Sequence, residues 1–316
     1  MTGPRTRPSA VIASFRPPAA LADLVAVLAR DCDVVVVDDG SGSRSDAVYE
    51  SAEHAGAEVV RHEENRGIAH ALNVGVQRAL SSGADAVFTF DQDSSPPEDF
   101  VERMSDALSR ARASTSSSVA AIVPEFFADT AQSRGADVAP GLCRARKVIQ
   151  SGMLVPYEAW SALGALRDDY FIDLVDTEFE MRALTRGWEV LAARGVSMPH
   201  SLGRTMRLSL APGLHVTTSV STPFRYFYRA RNRVMLSRAY VRRAPVRVLS
   251  DAGVDLAYFV VAVLGARPRR ALAHIVVRGL GAGFRGVMGR VPDRLANVAD
   301  GVRWSGVEVS GDVVAD

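Results

Sequence analysis

The first ninety residues alternate between short apolar runs and longer amphipathic segments. Apolar runs that end in polar loops predict strands at Val11–Ser14, Val34–Val37, Glu58–Arg61 and Asp85–Phe90. Between these runs, apolar side chains spaced three or four apart predict helices over Ala19–Arg30, Asp46–Ala55 and Gly67–Leu80. Strands that alternate with helices of this length are typical of an α/β domain with a largely parallel sheet.

Acidic residues follow two of the predicted strands directly. The valine run Val34–Val37 is closed by Asp38 and Asp39, and the strand that ends at Phe90 is followed by Asp91 and Asp93. Ligands of open α/β sheets bind at the carboxyl ends of the strands. Both acidic clusters are therefore candidate ligand-binding positions.

The residues after the first strand exclude the common phosphate-binding loops. The segment Ala13–Pro18 has no glycine, so it cannot form a dinucleotide-binding fingerprint, and the chain has no P-loop motif. Carboxylates repel phosphates unless a divalent cation lies between them. Mg²⁺ and Mn²⁺ are held by one or two carboxylates together with phosphate oxygens, and Asp91 and Asp93 fit that chemistry. An Asp-x-Asp pair also occurs in solvated turns before a helix, here the helix predicted at 98–110.

Further segments surround these carboxylates in a fixed order. They are VVVDDGS at 35–41, NRGIAHALNVG at 65–75, FDQDS at 90–94, SGML at 151–154, YFIDLVDTEFEMRA at 170–183, GW at 187–188, HSLG at 200–203 and YFYRARNRVML at 226–236. In this order the chain resembles the inverting family 2 glycosyltransferases, specifically their rhamnosyltransferase-like branch. The resemblance covers residues 10 to about 236.

The resemblance implies a GT-A fold over residues 1–210 that binds a metal and a nucleotide sugar. It implies Mg²⁺ or Mn²⁺ as the cation, with Asp93 as the most direct ligand, Asp91 as a second and His200 as a third. Asp39 matches the position that contacts the base, although Asp38 could take that role and Asp39 is only the favoured choice. The nucleotide-sugar site so implied comprises Ala13, Ser14, Phe15, Asp39, Asn65, Gly67, Asn73, Asp91 and Gln92.

The acidic segment 168–180 is the candidate source of the catalytic base. Its apolar spacing predicts a helix that ends at Gly187, with Asp176 in the first turn, where exposed N–H groups favour a carboxylate. An acidic helix start is common in its own right. Inverting transfer, however, needs a carboxylate that takes the proton of the acceptor hydroxyl. Asp176 matches the family's base, while Glu178 is the alternative base and, with Asp173, is expected to position the acceptor.

Composition places the chain among globular proteins of a reducing compartment. It has 316 residues, 47% of them hydrophobic and 23% charged, and two cysteines, Cys32 and Cys143, that cannot build a disulfide framework. The start of the chain has no apolar segment of signal-peptide length, and no stretch reaches the 18 or so apolar residues of a spanning helix. We therefore expect a cytoplasmic protein.

The second half of the chain is strongly basic. The formal net charge is +1, yet 11 arginines and no acidic residue lie between Glu189 and Asp251. The arginines of 225–247 alternate with aromatic and aliphatic residues, which predicts an interfacial helix, and the apolar run Leu256–Ala266 follows. We expect residues 211–316 to be a basic, apolar helical region at the inner face of the plasma membrane. Nucleic-acid binding lacks a supporting motif, and arginines near 229–233 could instead bind substrate phosphate.

Together with the resemblance, these features predict an inverting, metal-dependent enzyme that transfers L-rhamnose or a similar sugar, with dTDP-rhamnose as the favoured donor, to a cell-envelope glycan or a lipid-linked acceptor. A galactofuranosyltransferase or other hexosyltransferase that uses a UDP-sugar is the alternative within the same fold. A sugar-nucleotidyltransferase, from a different class, would need a glycine-rich loop near the first strand. A non-catalytic relative would be expected to lack Asp176 or the pair Asp91 and Asp93, and all three are present.

Overall fold

A computed structural model describes residues 7–199, 204–211, 214–305 and 307–308. The chain forms two compact units. The first comprises residues 1–168 and 175–200, and the second comprises residues 169–174 and 201–316. The first unit ends ten residues before the boundary predicted at residue 210. The short segment 169–174 therefore leaves the first unit in mid-chain and packs with the second.

The first unit is built on a ten-stranded sheet. Its strands are β1 Ser9–Ser14, β2 Asp33–Asp38, β3 Ala57–Arg61, β4 Ala86–Asp91, β5 Val119–Phe127, β6 Thr130–Ala131, β7 Ser133–Ala139, β8 Leu142–Ala145, β9 Met153–Pro156 and β10 Glu189–Met198. The order is β3-β2-β1-β4-β9-β5-β10-β8-β7, with β6 paired to β5. Strands β1 to β4 are mutually parallel, β5 and β10 run the same way, and β9 lies antiparallel between β4 and β5.

Helices cover both faces of this sheet. They are α1 Leu21–Leu28, α2 Asp46–His54, α3 Ile68–Ser81, α4 Phe100–Ser114, α5 Tyr157–Leu163 and α6 Val175–Thr185. Alternate side chains of a strand point to opposite faces. Ile12 thus joins the core formed with α1, α2 and α4, whereas a side-chain atom on Gly75 of α3 would meet neighbouring Val11. Because both faces are buried, β1, β2 and β4 are continuous apolar runs, and the predicted mostly parallel α/β fold is confirmed.

The second unit is mainly helical. Its elements are β11 Arg204–Ala211, β12 Leu214–Val220, α7 Arg225–Tyr240, α8 Pro245–Gly265, β13 Ala266–Arg267, α9 Arg269–Arg285, α10 Asp293–Asp300, β14 Arg303–Trp304 and β15 Val307–Glu308. Strands β12, β11 and β15 form a small antiparallel sheet, and β13 pairs with β14. Aromatic residues of α7 form the core with α8, α9 and α10.

Helix α7 is a buried core helix, and its predicted role as an interfacial helix is therefore wrong. Arg231 is 1% exposed and donates to the carbonyl oxygens of Asp169, Tyr170 and Gly289. Its burial lowers the pKa of the guanidinium. The arginines of this helix look amphipathic in sequence, but partners that are distant along the chain satisfy them inside the unit.

Two arginines of α7 share one buried carboxylate. Arg229 donates through Nε and Nη2 to Oδ1 of Asp255 on α8, at 2.9 and 2.7 Å, and Arg233 donates to Oδ2 of the same side chain. Asp255 is 1% exposed. These arginines are therefore committed to the fold, which argues against the substrate-phosphate role considered from the sequence.

The segment 169–174 is held in an unusual conformation by α7. Phe171, Asp173 and Leu174 have φ values of 65°, 67° and 60°, a region that residues other than glycine rarely adopt. The side-chain amide of Asn232 donates to the carbonyl oxygens of Tyr170, Ile172 and Asp173, at 2.7–3.1 Å. Asn232 is fully buried, so these bonds replace contacts that the three carbonyl groups would otherwise make with water.

Candidate active site

The carboxyl ends of β1, β2 and β4 lie side by side at one edge of the sheet. Ser14 pairs in register with Asp38, and Ala13 pairs with Asp91. The loops that carry Phe15, Asp39 and Gln92 therefore start next to each other. This is the edge at which the sequence predicted ligand binding.

Asp38 organises the loop that follows β2. Its Oδ1 accepts hydrogen bonds from the Tyr49 hydroxyl and from the backbone N–H of Ser41, both at 2.8 Å. Burial, as the largest effect, raises the pKa of Tyr49 to about 12, so its hydroxyl stays protonated and able to donate at physiological pH. Asp38 is buried and holds the loop, and the contact of Asp39 with the nucleotide stays a prediction.

Asp39 joins this loop to the start of α3. Its Oδ1 accepts from the backbone N–H of Arg66 and its Oδ2 from that of Gly67, both at 2.8 Å. The side chain is nearly buried, and the Nδ1 atom of His62 lies 3.7 Å from Oδ1. Nearby, Oδ1 of Asn65 is buried and has no hydrogen-bond partner among the described residues, so an acceptor stands ready at this edge.

The loop after β2 approaches the segment before α3 so closely that only glycine fits at position 40. A Cβ atom on Gly40 would lie 2.6 Å from the carbonyl carbon of Glu64 and 2.7 Å from the amide nitrogen of Asn65, and φ is +81°. We expect Gly40→Ala to lower the free energy of unfolding by about 3 kcal/mol, from backbone strain and overpacking together. Thermal unfolding of the purified protein measures this loss.

Gly42→Ala is the matched control. Gly42 has a similar φ of +74°, but an added Cβ atom would meet nothing within 4 Å. This variant should lose only the conformational contribution, about 2 kcal/mol, because its φ of 74° and ψ of 179° lie in a region that is almost restricted to glycine. Equal losses in the two variants would contradict the close approach of the two loops.

Gln92 fixes the loop that follows β1. Its Oε1 accepts from the backbone N–H of Phe15 at 2.8 Å and from the Ser14 hydroxyl at 3.0 Å, and its Nε2 donates to the carbonyl oxygen of Phe15 at 3.2 Å. Phe15 itself is exposed, with Arg16 packed over its ring. Gln92 therefore organises the site, while the Phe15 ring remains accessible to a flat ligand.

Asp91 and Asp93 differ in their surroundings. Asp91 accepts at Oδ1 from the side-chain amide of Gln150, and its backbone N–H donates to the Ser151 hydroxyl at 3.3 Å. Asp93 is exposed, and no hydrogen bond or ion pair joins it to another described residue. Its carboxylate is thus available, whereas that of Asp91 is oriented by Gln150.

The donor set suits a hard divalent cation that is completed by a ligand. Across the described ranges, no group of three or more His, Cys, Asp or Glu side chains converges on one point. Two carboxylates together with phosphate oxygens are nevertheless a usual environment for Mg²⁺. Asp91 and Asp93 fit such an ion, and His200, the predicted third ligand, lies outside the described residues.

A second polar group joins α3 to the segment before α6. The Asn73 amide donates to and accepts from the backbone of Leu166, both at 2.9 Å, and it also donates to Asp168. Nδ1 of His70 lies 3.0 Å from Oδ2 of Asp168. The ring of His70 also packs against that of His62, at 5.1 Å between centroids.

The sequence-based reasoning missed several residues that build this site. They are Tyr49, His62, His70 and Gln150. Gln150 directly precedes the SGML segment, and His70 lies within the NRGIAHALNVG segment, so position alone could have indicated both. The contacts of Asn73 point to loop support, although its predicted role in binding the nucleotide sugar stays a prediction.

Helix α6 places its first-turn carboxylates in different environments. Asp176 is half-buried and accepts at Oδ1 from the backbone N–H of Thr177 at 2.6 Å. Glu178 is buried and forms an ion pair with Arg182 at 2.8 Å. Arg182 also donates to the carbonyl oxygens of Leu163 and Ala165. Glu178 therefore holds the helix, and the role of Asp176 as the base stays a prediction.

Asp173, predicted to position the acceptor, belongs to the second unit. Arg225 binds it with two nitrogens, Nη2 to Oδ1 at 2.7 Å and Nε to Oδ2 at 3.1 Å. Both oxygens of this carboxylate are therefore engaged by one guanidinium. Asp173 thus stabilises the segment in which it lies, and its positioning role stays a prediction.

The part of the chain that carries this carboxylate edge matches a known protein family. Residues 9–156 match Glycosyl transferase family 2. This part of the chain is a Glycosyl transferase family 2 domain, and the protein is a glycosyltransferase. Glycosyltransferases of this kind typically use a divalent cation.

Known proteins similar to the chain include the dTDP-rhamnosyl transferase RfbF of Shigella flexneri. The two are 27% identical over 230 residues, which cover 66% of this chain and 72% of RfbF. Among solved structures, TarS 1–349 of S. aureus is similar with a TM-score of 0.47 and 13% identity. That match covers 73% of this chain and 65% of TarS 1–349, just under two thirds of its length. The mannose-1-phosphate geranyltransferase of Thermus thermophilus has a TM-score of 0.40 and 12% identity, over 61% of this chain and 75% of that one.

Proposed function

We propose that the protein transfers L-rhamnose, with inversion, from dTDP-rhamnose to a cell-envelope glycan or its lipid-linked precursor. The observation that carries the proposal is the set of carboxylates Asp39, Asp91 and Asp93, which lie at one edge of the central sheet within the Glycosyl transferase family 2 domain. The 27% identity to a protein named dTDP-rhamnosyl transferase supports the choice of sugar and nucleotide.

In this proposal Asp176 is the general base. Its carboxylate accepts the proton of the acceptor hydroxyl while that oxygen bonds to the anomeric carbon of the sugar. The bond between the anomeric carbon and the donor diphosphate breaks in the same step, and the diphosphate leaves with the electron pair. Attack from the face opposite the leaving group inverts the anomeric configuration.

The remaining residues bind and orient the donor. A divalent cation, when bound, counters the negative charge of the leaving diphosphate. Asp93 and Asp91 would hold that cation, since Asp91 is the last residue of β4 and Asp93, two residues later, is exposed. Asp39 and the exposed ring of Phe15 are the candidates for contact with the nucleotide. The Oδ1 atom of Asn65, which can accept a hydrogen bond from the donor, lies in the loop next to Asp39.

A panel of donors tests the sugar and the nucleotide. The protein is incubated with Mn²⁺ and dTDP-rhamnose, dTDP-glucose, UDP-galactofuranose or UDP-glucose, and the released nucleoside diphosphate is quantified. We expect release from dTDP-rhamnose to exceed that from each other donor at least tenfold, since one wrong contact costs about 1–3 kcal/mol. The donor dTDP-glucose shares the nucleotide and so isolates the contribution of the sugar.

Other outcomes favour the alternatives. Preferred hydrolysis of UDP-galactofuranose or UDP-glucose would identify a hexosyltransferase that uses a UDP-sugar. Formation of a nucleotide sugar from dTTP and a sugar 1-phosphate, with no hydrolysis of the donors, would identify a sugar-nucleotidyltransferase.

We further propose that the protein works in the cytoplasm at the inner face of the plasma membrane. A lipid-linked acceptor would place the reaction there, and the basic second half would be attracted to anionic lipids. The catalytic domain would then comprise residues 1–210, with residues 211–316 as a C-terminal region that contacts the membrane.

A further inference from the structure

The outward face of α8 is apolar from Val246 to Val260. Val246 is 82% exposed, Leu249 65% and Leu256 64%, and Val254 and Val260 are more than half exposed. The other exposed residues of the helix beyond its first position are small: Ser250, Gly253 and Ala257. These positions recur at intervals of three and four residues and so form one face, which carries no charged side chain.

The charged residues of α8 lie on its inner side and its flank. Asp255 is buried between Arg229 and Arg233. Asp251 lies 3.7 Å from Arg247 and 4.0 Å from Arg233. An ordinary surface helix presents charge to water and apolar side chains to the core. This helix does the reverse on much of its circumference, and exposed apolar surfaces of this kind mark interaction sites.

Arginines flank both ends of this face. Arg242 and Arg243 precede α8, and Arg267, Arg269 and Arg270 follow it, all of them exposed. None of the five is joined to a carboxylate within the described part of the chain, and Arg267 and Arg269 donate only to backbone carbonyls near the helix end. Residues 190–292 contain 17 arginines but only two acidic residues, Asp251 and Asp255.

The arginines at both ends of the face favour an anionic bilayer over a second copy of the chain as the binding partner. A second copy of the chain, packed through the same helix about a two-fold axis, would bring arginine clusters towards each other, which opposes association. An anionic bilayer supplies apolar surface for the face and phosphate groups for both of its ends.

The helix can lie along a bilayer but is not free to cross it as it stands. By length and composition α8 is apolar enough to span a membrane, which corrects the expectation from sequence that no such segment exists. Its inner side, however, packs on α7 through Asp255 and Phe259. At about 1.5 Å per residue the helix is about 30 Å long, enough for a row of lipid contacts parallel to the surface.

We propose that the outward face of α8 is the surface by which this protein docks, lying flat, on an anionic lipid bilayer. The apolar face inserts between the acyl chains near the headgroups, and the arginines at its two ends bind lipid phosphates. This docking surface would serve the membrane location given under the proposed function and rests on that proposal. Binding to lipid can nevertheless be measured independently of enzyme activity.

Co-sedimentation of the full chain with vesicles tests this surface. The vesicles are pure phosphatidylcholine, or phosphatidylcholine with 30% phosphatidylglycerol, at low salt and at 0.5 M NaCl. We expect binding to the anionic vesicles at low salt and little binding to the neutral ones. The double variant Leu249→Gln/Leu256→Gln should bind the anionic vesicles at least tenfold less tightly, and Arg242→Gln/Arg243→Gln should lose a similar factor at low salt only.

Matched controls lie in the first unit. Leu184→Gln changes an exposed leucine of α6, and Arg44→Gln/Arg110→Gln removes two exposed arginines. Both controls should bind vesicles as the unchanged protein does. Circular dichroism and donor hydrolysis in the absence of vesicles check that every variant is folded.

Several results would overturn the proposal. One is the absence of binding to anionic vesicles at low salt, and another is equal binding by the α8 variants and the controls. A third is a lipid-free dimer, seen by sedimentation velocity, that the leucine variant dissociates while vesicle binding is absent, since a second copy would then cover the face. Intact donor hydrolysis without vesicle binding would contradict only the docking proposal. Vesicle binding without donor hydrolysis would contradict only the proposed function.

Discussion

Asp176→Asn is expected to lower turnover by about 10²- to 10⁴-fold and to leave donor affinity within about twofold of its original value. The substitution keeps the shape of the side chain and its contact with Thr177 but removes the group that accepts the acceptor proton. Steady-state kinetics with donor and acceptor measure turnover, and calorimetric titration with the intact donor measures affinity.

Glu178→Gln is the control in the same helical turn. Because Glu178 is buried and paired with Arg182, its substitution should lower the melting temperature and affect turnover per folded molecule far less. A collapse of donor affinity in Asp176→Asn would place Asp176 in the donor site instead. The base would then be sought at Glu178 or Asp173, although an arginine pairs with each of them.

Asp93→Ala is expected to weaken donor binding by at least about 100-fold and to abolish measurable turnover. An exposed carboxylate that contacts no other described side chain is free to hold a cation, and its loss leaves the donor diphosphate opposite the remaining carboxylate of Asp91. EDTA should have the same effect on the unchanged protein, and added Mn²⁺ or Mg²⁺ should restore binding. Donor titrations with and without EDTA measure both effects.

Asp99→Ala provides the comparison, since Asp99 is an exposed carboxylate in the loop between β4 and α4. It should retain the donor affinity and the metal dependence of the unchanged protein. Full activity of the unchanged protein in EDTA would exclude a cation between the carboxylates and the diphosphate.

The sequence was most informative where the sheet is parallel and covered on both faces. Strands β1, β2 and β4 are runs of buried apolar residues, and each ends in polar residues whose position follows from the end of the run. The edge that carries Ser14, Asp39 and Asp91 could therefore be predicted without knowledge of any tertiary contact.

The different contacts of Asp38 and Asp39 could not be predicted from sequence alone. The Tyr49 hydroxyl reaches Asp38 from the first turn of α2, and the backbone amides of Arg66 and Gly67 reach Asp39 from another loop. These partners become neighbours only through the parallel pairing of the strands. Local spacing carries no information about them.

Helix α7 shows why charge patterns misled the prediction of burial. Its arginines suggested a face in contact with lipid or phosphate, yet Arg229 and Arg233 are neutralised by one carboxylate more than twenty residues later in the chain. A run of basic residues predicts an exposed segment, because burying a charged side chain without a partner costs free energy. Here the partner is Asp255 on α8. The exposed apolar face that the sequence suggested for α7 lies instead on α8.

The segment 169–174 means that no single cut of the chain separates the two units. A fragment that ends at residue 200 keeps Asp176 but lacks Asn232 and Arg225, which hold the residues just before α6. A fragment that begins at residue 201 lacks the segment 169–174, to which Asn232 of α7 donates hydrogen bonds. During synthesis, too, the start of α6 leaves the ribosome more than fifty residues before Asn232 does, so the backbone before Asp176 reaches its final conformation only after α7 has been made.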